Sequence, residues 1–232
     1  MTSKSGDPDL GGNSARPGSD TNDPHADQPI RLVGTALPEA IGAVILLHGR
    51  GSSAEDILNL AHAMFQPRLA YLAPSAANNS WYPLTFLSPR EKNEPWLSSA
   101  LSKVAAAVQL ANHSGIPAER IMICGFSQGA CLASEYVATH PERYAGLMVF
   151  TGGLIGPPDM ALNYSGDLQD TPAFLGSGDP DPHVPWTRVQ QTADVLAGMN
   201  AQVTLRRYPG RPHTVGGDEI QFGRKMIAQA FQ

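Results

Sequence analysis

In Gly125-Phe126-Ser127-Gln128-Gly129 a serine stands two positions from a glycine on either side, directly behind the apolar run Ile121-Met122-Ile123-Cys124. A serine on a tight strand-to-helix turn projects its hydroxyl, and the glycines let backbone pass where a Cβ would collide. The helix that follows aims its dipole at the same spot and favours developing negative charge. Such an arrangement serves acyl transfer through a serine nucleophile. A hydroxyl reacts poorly near neutral pH, so a base and an orienting carboxylate must come from elsewhere in the chain. The plain alternative is a structural turn, which the strand–helix setting disfavours.

Three histidines follow Ser127: His140, His183 and His213. His140 stands before Pro141 at a helix end, where capping is its expected role. His213 closes Tyr208-Pro-Gly-Arg-Pro-His213, between the last strand and the last helix, where a general base is expected in the order serine, acid, histidine. His183 precedes that strand and reads as pocket rim. The acid should follow the strand Ala173–Leu175, and two candidates stand there, Asp179 and Asp181. Their loop, Gly178-Asp-Pro-Asp-Pro-His-Val-Pro185, is stiffened by prolines, which suits a carboxylate that must hold one imidazole tautomer. Whichever of the two is not the acid is expected to serve a turn or cap.

A tetrahedral intermediate also needs backbone N–H donors. Gln128, next after the serine, supplies one. The other is expected from Leu46-Leu47-His48-Gly49-Arg50-Gly51, where an apolar strand runs into a glycine loop, so Arg50 is the second expected donor. Around these the substrate pocket is expected to draw on His48, Gly49, Trp81, Tyr82 and His183, with His48 also bracing the loop from beneath. Trp81 reads equally as pocket wall or core. Cys124 and Cys131 flank the turn as buried apolar residues. No cysteine or histidine spacing points to a metal, and no cofactor motif is present.

These side chains must be held by the intervening elements. Strands are expected at Ile30–Val33, Ala43–Leu47, Leu69–Ala73, Arg120–Cys124, Leu147–Phe150, Ala173–Leu175 and Val203–Tyr208. Helices should alternate with them. One is capped at Ser53, and one behind Pro95 carries Leu97, Leu101, Val104, Val108 and Ala111 on one face. Others span Gln128–Thr139, Trp186–Met199 and about 218–231. Fully apolar strands alternating with helices predict an α/β fold with a mostly parallel central sheet covered on both faces. Ligands then bind beyond the carboxyl ends of the strands. The interval 150–173 is too short for a large cap domain, so an open site for small or short-chain acyl esters is expected.

Across 232 residues, 42% are hydrophobic and 16% charged, with 16 Lys and Arg against 21 Asp and Glu, a net charge of −5. That composition is globular, and the absence of a basic cluster disfavours nucleic acid or an anionic membrane surface. No apolar run nears the ~20 residues of a membrane span. Residues 1–29, filled by Gly, Pro, Ser, Asn and Asp, are expected to form a disordered polar tail, with the folded domain over 30–232. The tail lacks the apolar stretch of a secretory signal and reads as cytoplasmic. The expected partner is a small-molecule ester, with a homodimer left open.

Taken together, His48-Gly-Arg-Gly51, Gly125-Phe-Ser-Gln-Gly129, Asp179-Pro-Asp-Pro-His-Val-Pro185 and Gly210-Arg-Pro-His213 resemble the carboxylesterase/phospholipase branch of the α/β-hydrolases, which also holds the acyl-protein thioesterases. The resemblance covers about residues 30–232. It implies Ser127 as nucleophile, Asp181 as acid and His213 as base, with Arg50 and Gln128 as oxyanion donors. It implies a serine carboxylesterase without cofactor. Lysophospholipase or thioesterase activity on the same triad is the alternative, and a non-catalytic module on the same fold is the rival of a different class. Arg50 stands where thioesterase members tend to carry an apolar residue.

Overall fold

A computed structural model describes residues 23–232. Its centre is a seven-stranded sheet formed by β1 (Ile30–Gly34), β2 (Gly42–Leu47), β3 (Leu69–Pro74), β4 (Ile121–Phe126), β5 (Gly146–Phe150), β6 (Pro172–Asp179) and β7 (Gln202–Pro209). The spatial order is β1-β3-β2-β4-β5-β6-β7. Only β1 runs antiparallel to its neighbour; every other pairing is parallel. The parallel strands β2 and β3 are buried along their whole length, as strands covered on both faces must be.

Among the described residues five α-helices connect them: α1 (Ala54–His62), α2 (Trp96–His113), α3 (Gln128–Thr139), α4 (Trp186–Gly198) and α5 (Gly217–Ala230). Alternate residues of each strand feed two separate cores. Ile45 and Leu47 pack with Val104, Ala107, Leu132, Val137 and Leu196, which places α2, α3 and α4 on one face. Val44 and Leu46 pack with Ile57, Leu58, Met226 and Ile227, which places α1 and α5 on the other. The expected cap at Ser53 is a full capping box, with Ser53 Oγ accepting from the Asp56 backbone N–H at 3.1 Å and Asp56 Oδ2 accepting from the Ser53 N–H at 3.0 Å.

Every strand and helix expected from the sequence is present, and β6 extends further than its apolar run, to Asp179. The tail differs from expectation. Residues 1–22 lie outside the described residues, but residues 23–29 pack against the domain rather than forming part of a loose tail. His25 is fully buried and serves as the anchor: its backbone N–H donates to Ser99 Oγ at 2.9 Å, and its ring joins Trp81 O at 2.9 Å and the Ala77 N–H at 3.0 Å. Lys103 Nζ adds a bond to Ala26 O at 3.0 Å. Polar satisfaction, not apolar area, orders this segment. Among the described residues no helix is long and apolar enough to cross a membrane.

Candidate active site

Ser127 sits between β4 and α3 with φ 55° and ψ −118°, a conformation that a non-glycine residue adopts only under strain. The surrounding backbone imposes it. A Cβ on Gly125 would lie 2.3 Å from Gly129 O, and one on Gly129 would lie 2.1 Å from Leu47 O. Strand β4, the turn and the end of β2 therefore pack backbone to backbone, and the serine hydroxyl is pushed outward over the sheet's carboxyl edge.

The two distant partners meet it there. His213 Nε2 lies 2.8 Å from Ser127 Oγ, and His213 Nδ1 lies 2.8 Å from Asp181 Oδ2. The Asp181 side chain is 0% exposed and the His213 side chain 19%, so the carboxylate lies beneath the ring while the ring reaches the cleft. The other oxygen of Asp181 accepts the backbone N–H groups of His183 and Val184 at 2.8 and 2.9 Å, which fixes the carboxylate plane. Asp179 does something else: it pairs with Arg207 on the neighbouring strand β7 and does not reach the histidine. It is a cross-strand ion-pair partner rather than a turn or cap residue.

The loop that carries His213 is tied down by a clamp that the sequence reading did not single out. The Arg211 guanidinium bridges Asp218 and the buried Glu219 at the start of α5, and it lies 3.4 Å from the centre of the Tyr208 ring. Glu219 also accepts the Gly216 N–H at 2.8 Å. Burial pushes the Glu219 carboxyl above its ordinary value, opposed by the Gly216 N–H and the Arg211 charge. Arg211 lies inside the quoted motif Gly210-Arg-Pro-His213, but its partners follow only from the fold.

The loop after β2 lies against the serine: a Cβ on Gly49 would come within 3.4 Å of the Ser127 Cβ. Among the described residues no protein acceptor takes the backbone N–H of Arg50 or of Gln128. The Gln128 side chain ties the turn to the next loop, accepting from the Trp81 N–H at 2.9 Å and donating to Tyr82 O at 2.8 Å.

The cleft above Ser127 has a volume of about 730 Å³, and its walls include Gly49, Tyr82 and His183 as expected. His48 and Trp81 do not line it. Both are 0% exposed and stand behind the wall, with Trp81 Nε1–H donating to His48 O at 2.9 Å and His48 Nε2 accepting the Ala76 N–H at 3.1 Å. The indole found its polar partner in the core, which turned the ring inward. Leu84, Phe86, Phe126 and Val184 supply apolar wall instead. His183 is exposed and sits edge-on to His213, with ring centres 4.9 Å apart. His140 caps α3 as expected, its ring joined to Tyr136 O at 3.1 Å. Cys131 is buried at the cleft floor, where desolvation pushes its thiol up to about 12.

Burial lowers the pKa of both His25 and His48. For His25, the Trp81 carbonyl and Asp23 oppose that shift, and Lys103 reinforces it. The unfolded chain takes up protons on these rings near pH 6.5, while the folded chain keeps them neutral. Stability is therefore full above about pH 6.5 and falls as the pH drops below it. The thermal midpoint should decline from pH 7.5 to 5.5, and His25→Gln should flatten that decline. An unchanged slope in the variant would remove His25 from the acid response.

A serine on a strained strand-to-helix turn, a histidine and a buried carboxylate, gathered at the carboxyl edge of a mostly parallel sheet, define a serine hydrolase of the α/β-hydrolase class. The family model described as phospholipase/carboxylesterase matches residues 33–230, and the chain belongs to that family. It is accordingly a carboxylic-ester hydrolase. A phospholipase/carboxylesterase of known structure from Dyadobacter fermentans is 47% identical, covers 87% of this chain and 96% of its own, and superposes with a TM-score of 0.83. A probable carboxylesterase of Arabidopsis thaliana, SOBER1-like, is 28% identical over 82% of this chain and 79% of its own length. Acyl-protein thioesterase 1 of Cryptococcus neoformans is 26% identical over 82% and 92%.

Proposed function

We propose that this protein hydrolyses short-chain carboxylic esters through a Ser127–His213–Asp181 triad. The two 2.8 Å contacts of the His213 ring carry this reading. Ser127 Oγ attacks the ester carbonyl carbon while His213 Nε2 takes its proton. Asp181, at Nδ1, keeps the ring in the tautomer that can accept it and stabilises the imidazolium. The carbonyl oxygen, now negative, is received by the Arg50 and Gln128 N–H groups. Collapse expels the alcohol, which takes the proton from His213 and leaves an acyl-serine. Water, deprotonated by the same ring, then releases the acid and restores Ser127.

An apolar wall, with no cap domain over the cleft among the described residues, supports small acyl esters. A cytoplasmic setting belongs to the same reading, supported by two cysteines that are both free and buried. A fluorophosphonate should label Ser127 stoichiometrically and block turnover; an unlabelled folded protein would exclude a working nucleophile. Across esters and thioesters of rising acyl length, kcat/KM should peak at short esters. A peak at long acyl chains or at thioesters would move the activity to lysophospholipids or acyl-proteins.

A further inference from the structure

The charges around the cleft are one-sided. The lining of its larger lobe includes Arg50, His183 and His213 and no carboxylate, in a chain whose net charge is −5. Arg50 is held in place by neutral oxygens alone. Nη1 donates to Ser80 Oγ at 3.1 Å and to Pro83 O at 2.8 Å, Nη2 donates to Leu84 O, and the guanidinium carbon lies 6.0 Å from the centre of the Tyr82 ring. A guanidinium carries five N–H donors in a fixed fork. Three bonds engage Nη1 and Nη2 here, and the Nε–H has no protein acceptor among the described residues. The donor capacity left on a planar guanidinium suits a carboxylate.

A second cation lies behind the wall. Arg188, on the first turn of α4 after Val184 and Pro185, is 2% exposed and donates only to Leu154 O and Pro157 O, at 3.0 and 2.8 Å. Its Nε has no partner. The nearby buried carboxylate, Glu135, is in contact with Arg90, and Asp181 is in contact with His213. Arg50 thus lines the lobe with no carboxylate touching it, while Arg188, buried behind the wall, has Glu135 as its nearby counter-charge. A smaller neighbouring pocket of about 230 Å³, which shares Gly49, Ser52 and Phe126 with the cleft but is not lined by Ser127, carries the carboxylate of Asp56.

We infer that the preferred substrate is an ester bearing a carboxylate a few atoms from the scissile bond, received in the larger lobe, with the Arg50 side chain setting that specificity. Resting on the esterase reading above, the inference names its substrate class. A low-dielectric wall strengthens such an attraction, and a lobe of one sign also concentrates an oppositely charged substrate.

The test compares kcat/KM, by titration of released acid, for three methyl esters of matched length: monomethyl adipate, methyl heptanoate and methyl 6-aminohexanoate. The anionic ester should exceed the cationic one by roughly tenfold or more. Half-molar sodium chloride should erase most of that gap while leaving the neutral ester unchanged. Arg50→Gln should lower the ratio of anionic to neutral turnover, whatever it does to the absolute rate. Equal rates for the three esters, or a preference for the neutral or cationic one, would overturn the inference and leave the esterase intact. No turnover of any of them, nor of p-nitrophenyl acetate, would instead remove the esterase reading on which it stands.

Discussion

Ser127→Ala should lower kcat/KM for p-nitrophenyl acetate by roughly 10⁴–10⁶ while the protein stays folded. The hydroxyl makes a single contact, with the His213 ring, at a site open to the cleft. Its loss leaves no buried group without a partner. Alanine is no worse than serine at the strained φ of 55°, and the thermal midpoint should stay within about 2 °C, a fraction of a kcal/mol for a domain of this size. Whatever slow turnover remains measures substrate positioning together with the proposed Arg50 and Gln128 N–H donors. Undiminished turnover in a pure variant would exclude Ser127 as nucleophile.

Gly129→Ala should act on the fold instead. The new methyl would stand 2.1 Å from Leu47 O and 2.6 Å from His48 O, both backbone atoms at the end of a central strand. No rotamer relieves that contact, so α3 must move away from β2, at a cost of about 3 kcal/mol or more. The thermal midpoint should fall by roughly 6–12 °C. Because the same strand end leads into the Gly49–Arg50 loop, activity should fall even at temperatures where the variant is folded. A wild-type midpoint would mean that the helix and strand are not in the contact described.

These two glycine-and-serine effects were legible before any coordinates, because they depend on local spacing. A glycine two residues from a serine behind four apolar residues has few places to go. The apolar strands were legible for the same reason: burial on both faces leaves continuous runs such as Gly42–Leu47. Asp181 was harder. Asp179 and Asp181 point to the same side of an extended chain, and both follow the same strand. The family resemblance pointed to Asp181, but the physical reason is the turn after β6, which leaves Asp179 paired with Arg207 and sends Asp181 under His213. Trp81 was undecided because its sequence neighbours do not say which face of a loop is wet. His25 could not be found at all. It stands alone in a polar stretch without periodicity, and its partners lie 52 to 74 residues away.

That histidine has a consequence beyond stability. The segment carrying Trp81, behind the cleft wall, touches Gln128 on one side and His25 on the other, so it joins residues 23–29 to the turn that bears Ser127. A proton on that imidazole would remove its acceptor role toward the Ala77 N–H, so acid acts first on the joint where residues 23–29 meet the Trp81 segment.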